Sequence, residues 1–226
     1  PVLTLNQQRD GKVKLEGDDW AYGFNFGLMA QVTQAARVGF SYRSKVKVEV
    51  EGDATFAVPS LSPPFPGAIN AGVAAAFANT GVKATVTLPD IISLNTYVQL
   101  NDRWALLGDV TFTNWSRFKE LRIKFDDGRA DSVTPEEWDD SYKFAVGANY
   151  KLSNKWLLRG GLAYDKSPVD DAFRTPRIPD GDRTWLAFGA RYSFSEHNSL
   201  DFGFAHIFVD DPTLDKTSDE SVPQLR

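Results

Sequence analysis

Along most of the chain, apolar side chains fall on every second position. From Trp156 to Asp165 one set reads Trp156, Leu158, Gly160, Leu162 and Tyr164, and the other reads Leu157, Arg159, Gly161, Ala163 and Asp165. Successive side chains of an extended strand point to opposite faces, so this period of two predicts strands with one large apolar face and one small or charged face. The split recurs at Tyr142 to Lys151 and Thr184 to Phe194, with further copies at Tyr22 to Gln31, Arg37 to Glu51, Ile92 to Leu100, Trp104 to Thr113 and Leu200 to Val209. Short polar breaks at Thr33-Gln34, Asn101-Asp102, Ser153-Asn154 and Glu196-His197 alternate with long connections at about 57–81, 126–137 and 167–182. That rhythm predicts eight antiparallel strands in a meander, at about 11–31, 36–56, 82–100, 103–125, 138–152, 155–166, 183–195 and 198–210. Pro89, which has no N–H to donate, predicts a bulge or kink inside the third.

Period alone leaves two barrels open, one with its apolar face inward and one with it outward in lipid. Two features favour lipid outside. Trp20, Tyr22, Trp104, Trp138, Tyr142, Trp156, Tyr164 and Trp185 cluster near strand ends, where an aromatic girdle meets the headgroups. The opposite face mixes small residues with charges, as a polar interior does. No apolar run is long enough for a membrane-spanning helix, which leaves the barrel open as the spanning structure. The fold expected is therefore all-β, a transmembrane antiparallel up-and-down β-barrel. Eight strands put both chain ends on the long-loop side, and an open arc leaves unpaired backbone groups in hydrocarbon. Residues 1–226 are accordingly expected to be one partial barrel domain, with further strands before Pro1 and after Arg226.

Composition narrows the chemistry. The chain has 226 residues with 25 Lys+Arg against 30 Asp+Glu, a net charge of −5, and so offers no basic face for nucleic acid. It has no Cys, which removes disulfide scaffolds and Cys-ligated metal sites. The two His, His197 in a tight turn and His206 on an apolar face, have no nucleophile near them in sequence. No glycine-rich phosphate loop is present, so neither an enzyme nor a cofactor is expected. Asp126, Asp127, Asp131, Glu136, Glu137, Asp139 and Asp140 lack the spacing and turn glycine of an EF-hand, and read as a solvated acidic loop with no metal.

Specific words of sequence add to this reading. Gly39 to Lys45 (GFSYRSK) followed by Glu51-Gly52-Asp53-Ala54 resembles the long-chain fatty acid transporter family of Gram-negative outer membranes, which includes toluene and xylene uptake channels. The resemblance continues through Leu88-Pro89-Asp90, Trp104-Ala105-Leu106, Asn114 to Phe118, Leu158 to Pro168 and Arg177 to Arg183, in order. It implies a monomeric fourteen-stranded barrel, with an N-terminal segment folded inward as a plug. This chain resembles strands six to thirteen, without the plug, the early strands or the closing strand. The function implied is passive uptake of long-chain fatty acids or other hydrophobic compounds through the outer membrane, in contact with its lipid and lipopolysaccharide. The alternative is a structural or adhesive barrel without transport.

By resemblance, the apolar loop residues Leu61, Phe65, Ile69, Val73 and Phe77 are candidates for a groove that first captures substrate; the plainer reading is a loop packed over the barrel mouth. The inward face offers Arg43, Lys45, Lys143, Arg159 and Arg191 among Asp109, Asn149 and Asp201. A desolvated carboxylate needs a positive partner, and Arg159 and Arg191 are the candidates, Arg159 first because it lies mid-strand among small residues. The competing expectation is that such charges pair with one another. Thr134 and Pro135 stand before Trp138, where some fatty acid transporters carry a carboxylate-binding Lys, which leaves neutral aromatics or alkanes open as substrates. The interleaved charges of Arg174, Arg177 and Arg183 with Asp170, Asp171, Asp180 and Asp182 read as a salt-bridged lid or, second, as a contact with lipopolysaccharide phosphates.

Overall fold

The computed structural model describes residues 11–58 and 67–213. In chain order these form β1 (Lys12–Asp18), β2 (Asn25–Gln31), β3 (Ala36–Arg43), β4 (Val46–Ala57), α1 (Gly67–Ala76), β5 (Thr80–Leu88) and β6 (Ile91–Gln99). There follow β7 (Trp104–Thr113), β8 (Glu120–Phe125), β9 (Ser132–Pro135), β10 (Ser141–Lys151), β11 (Trp156–Asp165), β12 (Arg183–Ser193) and β13 (Ser199–Val209).

Eight of these strands make one antiparallel sheet in the order β13-β12-β11-β10-β7-β6-β3-β2. Each strand pairs with its neighbour in the meander, as the alternation of turns and loops predicts. The tight turns close with backbone bonds such as Val32 N–H to Ala36 O at 2.9 Å and Leu152 N–H to Trp156 O at 3.0 Å. The order ends at β2 and β13, so the described residues form an open wall and not a closed barrel.

Side-chain exposure decides which face is outside. Phe144, Val146, Leu162, Phe188 and Phe202 stand 50–64% exposed on one face, while Lys143, Ala145, Arg159, Gly161 and Ala187 on the other are half-buried. A soluble fold would bury the first set; a lipid-facing wall presents it. The Trp104–Tyr150 and Trp156–Tyr192 ring pairs, 4.6 and 4.8 Å apart, sit on this apolar face at the tight-turn ends, where a girdle belongs.

Two of the expected girdle aromatics are elsewhere. Trp185 has the same parity as Ala187 and Arg191 and lies on the inner face, its ring 5.1 Å from Lys143 Nζ. Trp138 is buried, edge-on to Trp115 (4.9 Å) and Phe118 (5.0 Å), with its indole N–H donating to Glu136 Oε2 at 3.1 Å. Glu137 precedes it in a left-handed conformation, φ 44°, which turns the chain so that the indole points into this cluster.

The first four expected strands are also not continuous. Each breaks, and the segments beyond the breaks, with β9, make a second sheet in the order β1-β4-β5-β8-β9. The interruption expected at Pro89 is present, and Asn114 N–H donates to Asp90 O at 3.0 Å beside it. At Ser44 the hydroxyl accepts the Phe24 N–H at 2.8 Å, and the 3-10 turn Trp115–Arg117 stops β7. Strand β9 lies inside the connection expected at 126–137. In this five-stranded sheet the exposure is reversed: Lys47, Glu49, Glu51 and Asp53 face solvent, and Val48, Val50, Ala54 and Phe56 are covered or half-covered. Gly52 faces Gly17 across β1 and β4 so closely that a Cβ on Gly52 would stand 1.8 Å from Glu16 O, which leaves room for glycine alone.

The contacts divide the chain into two compact units. One holds Lys47–Val86, Leu121–Thr134 and the described residues before Tyr22, and the other holds Tyr22–Val46, Thr87–Glu120 and the described residues from Pro135 on.

Candidate functional site

The inner face of the eight-stranded sheet ends in a cavity of about 870 Å³ at the side away from the tight turns. Strands β3, β6, β7, β10, β11 and β12 supply its wall, and Arg177-Ile178-Pro179-Asp180 of the 167–182 loop line it as well. The loop therefore forms a lid over this end of the inner face, the first of the two readings of its interleaved charges.

The lining has two characters. Leu88, Pro89, Ile91, Trp115, Trp138 and Ile178 give an apolar side. Arg43, Lys143, Lys166, Arg177 and Arg183 bring five cations to the same cavity, against the two carboxylates of Asp165 and Asp180. Arg43 donates to the neutral Asn25 amide at 3.1 Å, and Lys143 lies over the Trp185 ring, so neither positive charge is spent on a carboxylate among the described contacts. A lining that combines apolar side chains with an excess of cations fits an amphiphile with a negative head.

The rim is fixed by polar contacts made across strands. Arg117 Nε donates to Asp90 Oδ1 at 2.6 Å. Burial pushes the Asp90 carboxyl up, yet the Arg117 hydrogen bond and charge outweigh this and hold it below the ordinary carboxylate range. The lid is organised by Arg174, which is 4% exposed. Its guanidinium donates to Asp180 O (2.8 Å), Thr213 O (2.7 Å) and Val169 O (3.0 Å), and pairs with the Asp171 carboxylate. Asp182 accepts the Ser167 N–H at 2.8 Å and the Tyr164 hydroxyl, closing the neck of the loop.

Of the residues singled out in the sequence, Leu61 and Phe65 lie outside the described residues. Ile69 and Phe77 are 43% and 47% exposed, and Val73 is half-buried; the three follow at intervals of four on and just after α1, on one side of the helix. None of the α1 residues is buried. Phe77 meets Phe56 of β4 at 5.9 Å. Arg129 ties the end of this segment down by donating to Ala78 O at 2.9 Å while its guanidinium lies 5.0 Å from the Phe56 ring centre and 5.2 Å from that of Phe125.

Arg159 and Arg191 are brought together on the inner face, but around a carboxylate of the chain itself. Arg159 Nη1 lies 2.8 Å from Asp201 Oδ1, and Arg191 Nε lies 3.0 Å from both Asp201 oxygens. The cluster keeps one net positive charge. Lys166, Trp115 and Trp138 were not singled out as site residues; they line the cavity from positions just beyond the ends of β11 and β7 and just before β10.

This architecture matches a known family. The model of the outer membrane protein transport proteins (OMPP1/FadL/TodX) matches residues 2–226. The chain belongs to the FadL/TodX family. It is 34% identical over 194 residues to a long-chain fatty acid transport protein of Escherichia coli O6:H1, covering 85% of this chain and 43% of that protein. It is 36% identical over 204 residues to a 47 kDa outer membrane protein of Pasteurella multocida, covering 86% and 45%. Among solved structures, a Pseudomonas aeruginosa FadL homologue superposes with a TM-score of 0.72 at 30% identity, over 83% of this chain and 44% of that one. The Pseudomonas putida toluene transporter TodX superposes with a TM-score of 0.55 at 21% identity, over 82% and 43%, and so shares the fold. The chain thus spans less than half the length of these FadL/TodX relatives. FadL/TodX proteins are transport proteins of the outer membrane, which places the lipid-facing strands in that membrane.

Proposed function

We propose that the complete protein is a passive outer-membrane channel for hydrophobic compounds with an anionic head, long-chain fatty acids among them, and that these residues supply eight strands of its wall. The plug, the earlier strands and the closing strand belong, on this reading, to the remainder of a monomeric barrel whose outer surface contacts lipid and lipopolysaccharide. The observation that carries the proposal is the cavity bordered by the 167–182 loop, whose lining combines five cations and two carboxylates with tryptophan, proline and aliphatic side chains. The cationic side favours a carboxylate over a neutral hydrocarbon and supplies the positive partner that the positions before Trp138 lack.

By the family resemblance, the apolar loop residues Ile69, Val73 and Phe77 on and after α1, and Leu61 and Phe65 in the same connection of the sequence, are the candidates for first capture of substrate. The tail is then drawn to the cavity by burial worth about 25 cal/mol per Å² of apolar surface. Further along the inner face, the single net charge of the Arg159–Asp201–Arg191 cluster offers a second, weaker partner for the head. No energy source is required, because substrate moves down its gradient.

Uptake by a deletion strain carrying the complete gene tests this. The unaltered gene is expected to restore growth on laurate. The double substitution Arg43→Glu with Lys143→Glu is expected to lower laurate uptake about five- to tenfold, since two half-screened contacts are reversed, and to leave toluene uptake near its original rate. Equal loss of both substrates contradicts the cationic cavity, and unaltered growth without the gene supports a structural barrel.

A further inference from the structure

We propose that Asp180 is an internal stand-in for the substrate's carboxylate, and that an anionic ligand enters the cavity by exchanging with it on Arg183. The inference rests on the uptake reading above and adds the device that sets which head group the site accepts.

Arg183 holds two carboxylates, one on each terminal nitrogen. Nη1 lies 3.3 Å from Asp165 Oδ2, and Nη2 pairs with Asp180 Oδ1. The two partners differ in freedom. Asp165 is the last residue of β11 and stands opposite both Lys143 and Arg183 in the strand register, so the sheet fixes it. Asp180 stands on the loop, three residues before Arg183, with its backbone held by the Arg174 contact to its carbonyl at 2.8 Å and not by a strand ladder. Its second oxygen accepts the Ser167 hydroxyl at 2.9 Å, so its release frees two donors together, Ser167 Oγ–H and Arg183 Nη2–H.

The exchange is electrostatically balanced. The Arg183 and Asp180 side chains are 30% and 18% exposed, so the guanidinium is already largely desolvated. A ligand carboxylate taking this place replaces one charge-assisted bond by another, and Asp180 returns to water. The apolar tail against Trp115, Trp138 and Ile178 then decides the direction. A neutral ligand of equal length gains the tail contacts but has no group to exchange, and it leaves the Asp180 contact shut. Asp180 is therefore a specificity residue that acts by competing for Arg183.

The test measures binding of laurate and of dodecanol to the full-length protein in lipid nanodiscs, unaltered and with Asp180→Asn. Removing the competing charge is expected to tighten laurate about three- to fivefold and to leave dodecanol unchanged. Laurate affinity that stays the same or weakens, or an equal shift for both ligands, overturns the proposal. A second measurement uses the unaltered protein: laurate is expected to raise amide hydrogen exchange at 178–182, and dodecanol is not. Absence of that laurate-specific rise overturns the proposal whatever the folding of the variant. If the unaltered protein binds neither ligand, the uptake reading itself has failed; if it binds both and Asp180→Asn changes nothing, only the exchange has.

Discussion

Full-length protein carrying Leu162→Arg is expected to assemble poorly in the outer membrane, with a loss of about 2–4 kcal/mol of folding stability. Leu162 lies at the middle of β11 and is 55% exposed on the face that also carries Leu158 and Phe188. In hydrocarbon a guanidinium on that face has no water and no carboxylate, and it must snorkel or thin the bilayer. The neighbour Ala163 points to the other face, so Ala163→Ser should change stability little. Folding measured as resistance to heat in SDS, or by urea titration in vesicles, separates the two. Equal tolerance at both positions would mean that the assigned faces are wrong.

Arg174→Ala is expected to unlock the 167–182 loop, at a cost of about 3 kcal/mol to local stability. The Arg174 side chain is almost entirely buried, and its removal leaves the carbonyls of Val169, Asp180 and Thr213 without their donor. The buried Val169 carbonyl left without a donor costs about 1–3 kcal/mol, and the part-buried Asp180 and Thr213 carbonyls add less because water can replace the guanidinium there. Lys at this position has no planar fork and cannot reach three carbonyls together, so Arg174→Lys should not restore order. Limited proteolysis should cut within 167–182 in both variants and spare the unaltered protein, while the β-sheet signal stays the same. The Asp171 contact adds a pH dependence. The Arg174 hydrogen bond, then that of the Thr213 hydroxyl, holds the Asp171 carboxyl below its ordinary range. Its contribution is thus present above the unfolded carboxylate value and is lost as pH falls through the lowered one.

The spanning wall was legible because lipid imposes a period of two on every strand that crosses it. The eight paired segments and their tight turns follow from the period and its polar breaks, and the inward position of Arg159 follows once the strand-end aromatics and the small, charged opposite face assign the apolar side to lipid. Trp185 was readable in the same way, since it shares the parity of Ala187 and Arg191. The breaks that create the second sheet were mostly not readable. Pro89 announces itself by its missing N–H, but the break at Ser44 is held by contacts to Phe24, twenty residues away in sequence, which donates its N–H to the Ser44 hydroxyl. Beyond the breaks the same alternation of β4 carries the opposite meaning, with charges toward solvent, because period does not identify the solvent. The cavity was least legible. Its cations come from separate strands and a loop, and its aromatic side depends on the turn at Glu137 that buries Trp138.

Occupation of that cavity by the substrate's tail is tested most directly by photo-crosslinking. Full-length protein in bilayers would be labelled with a laurate analogue carrying a diazirine near the end of its tail, with unmodified laurate as competitor. Labelled peptides are expected to contain Trp115, Trp138 and Ile178, with labelling suppressed by laurate. Labelling confined to the outer, lipid-facing strands, or labelling of these peptides that laurate does not suppress, would contradict it.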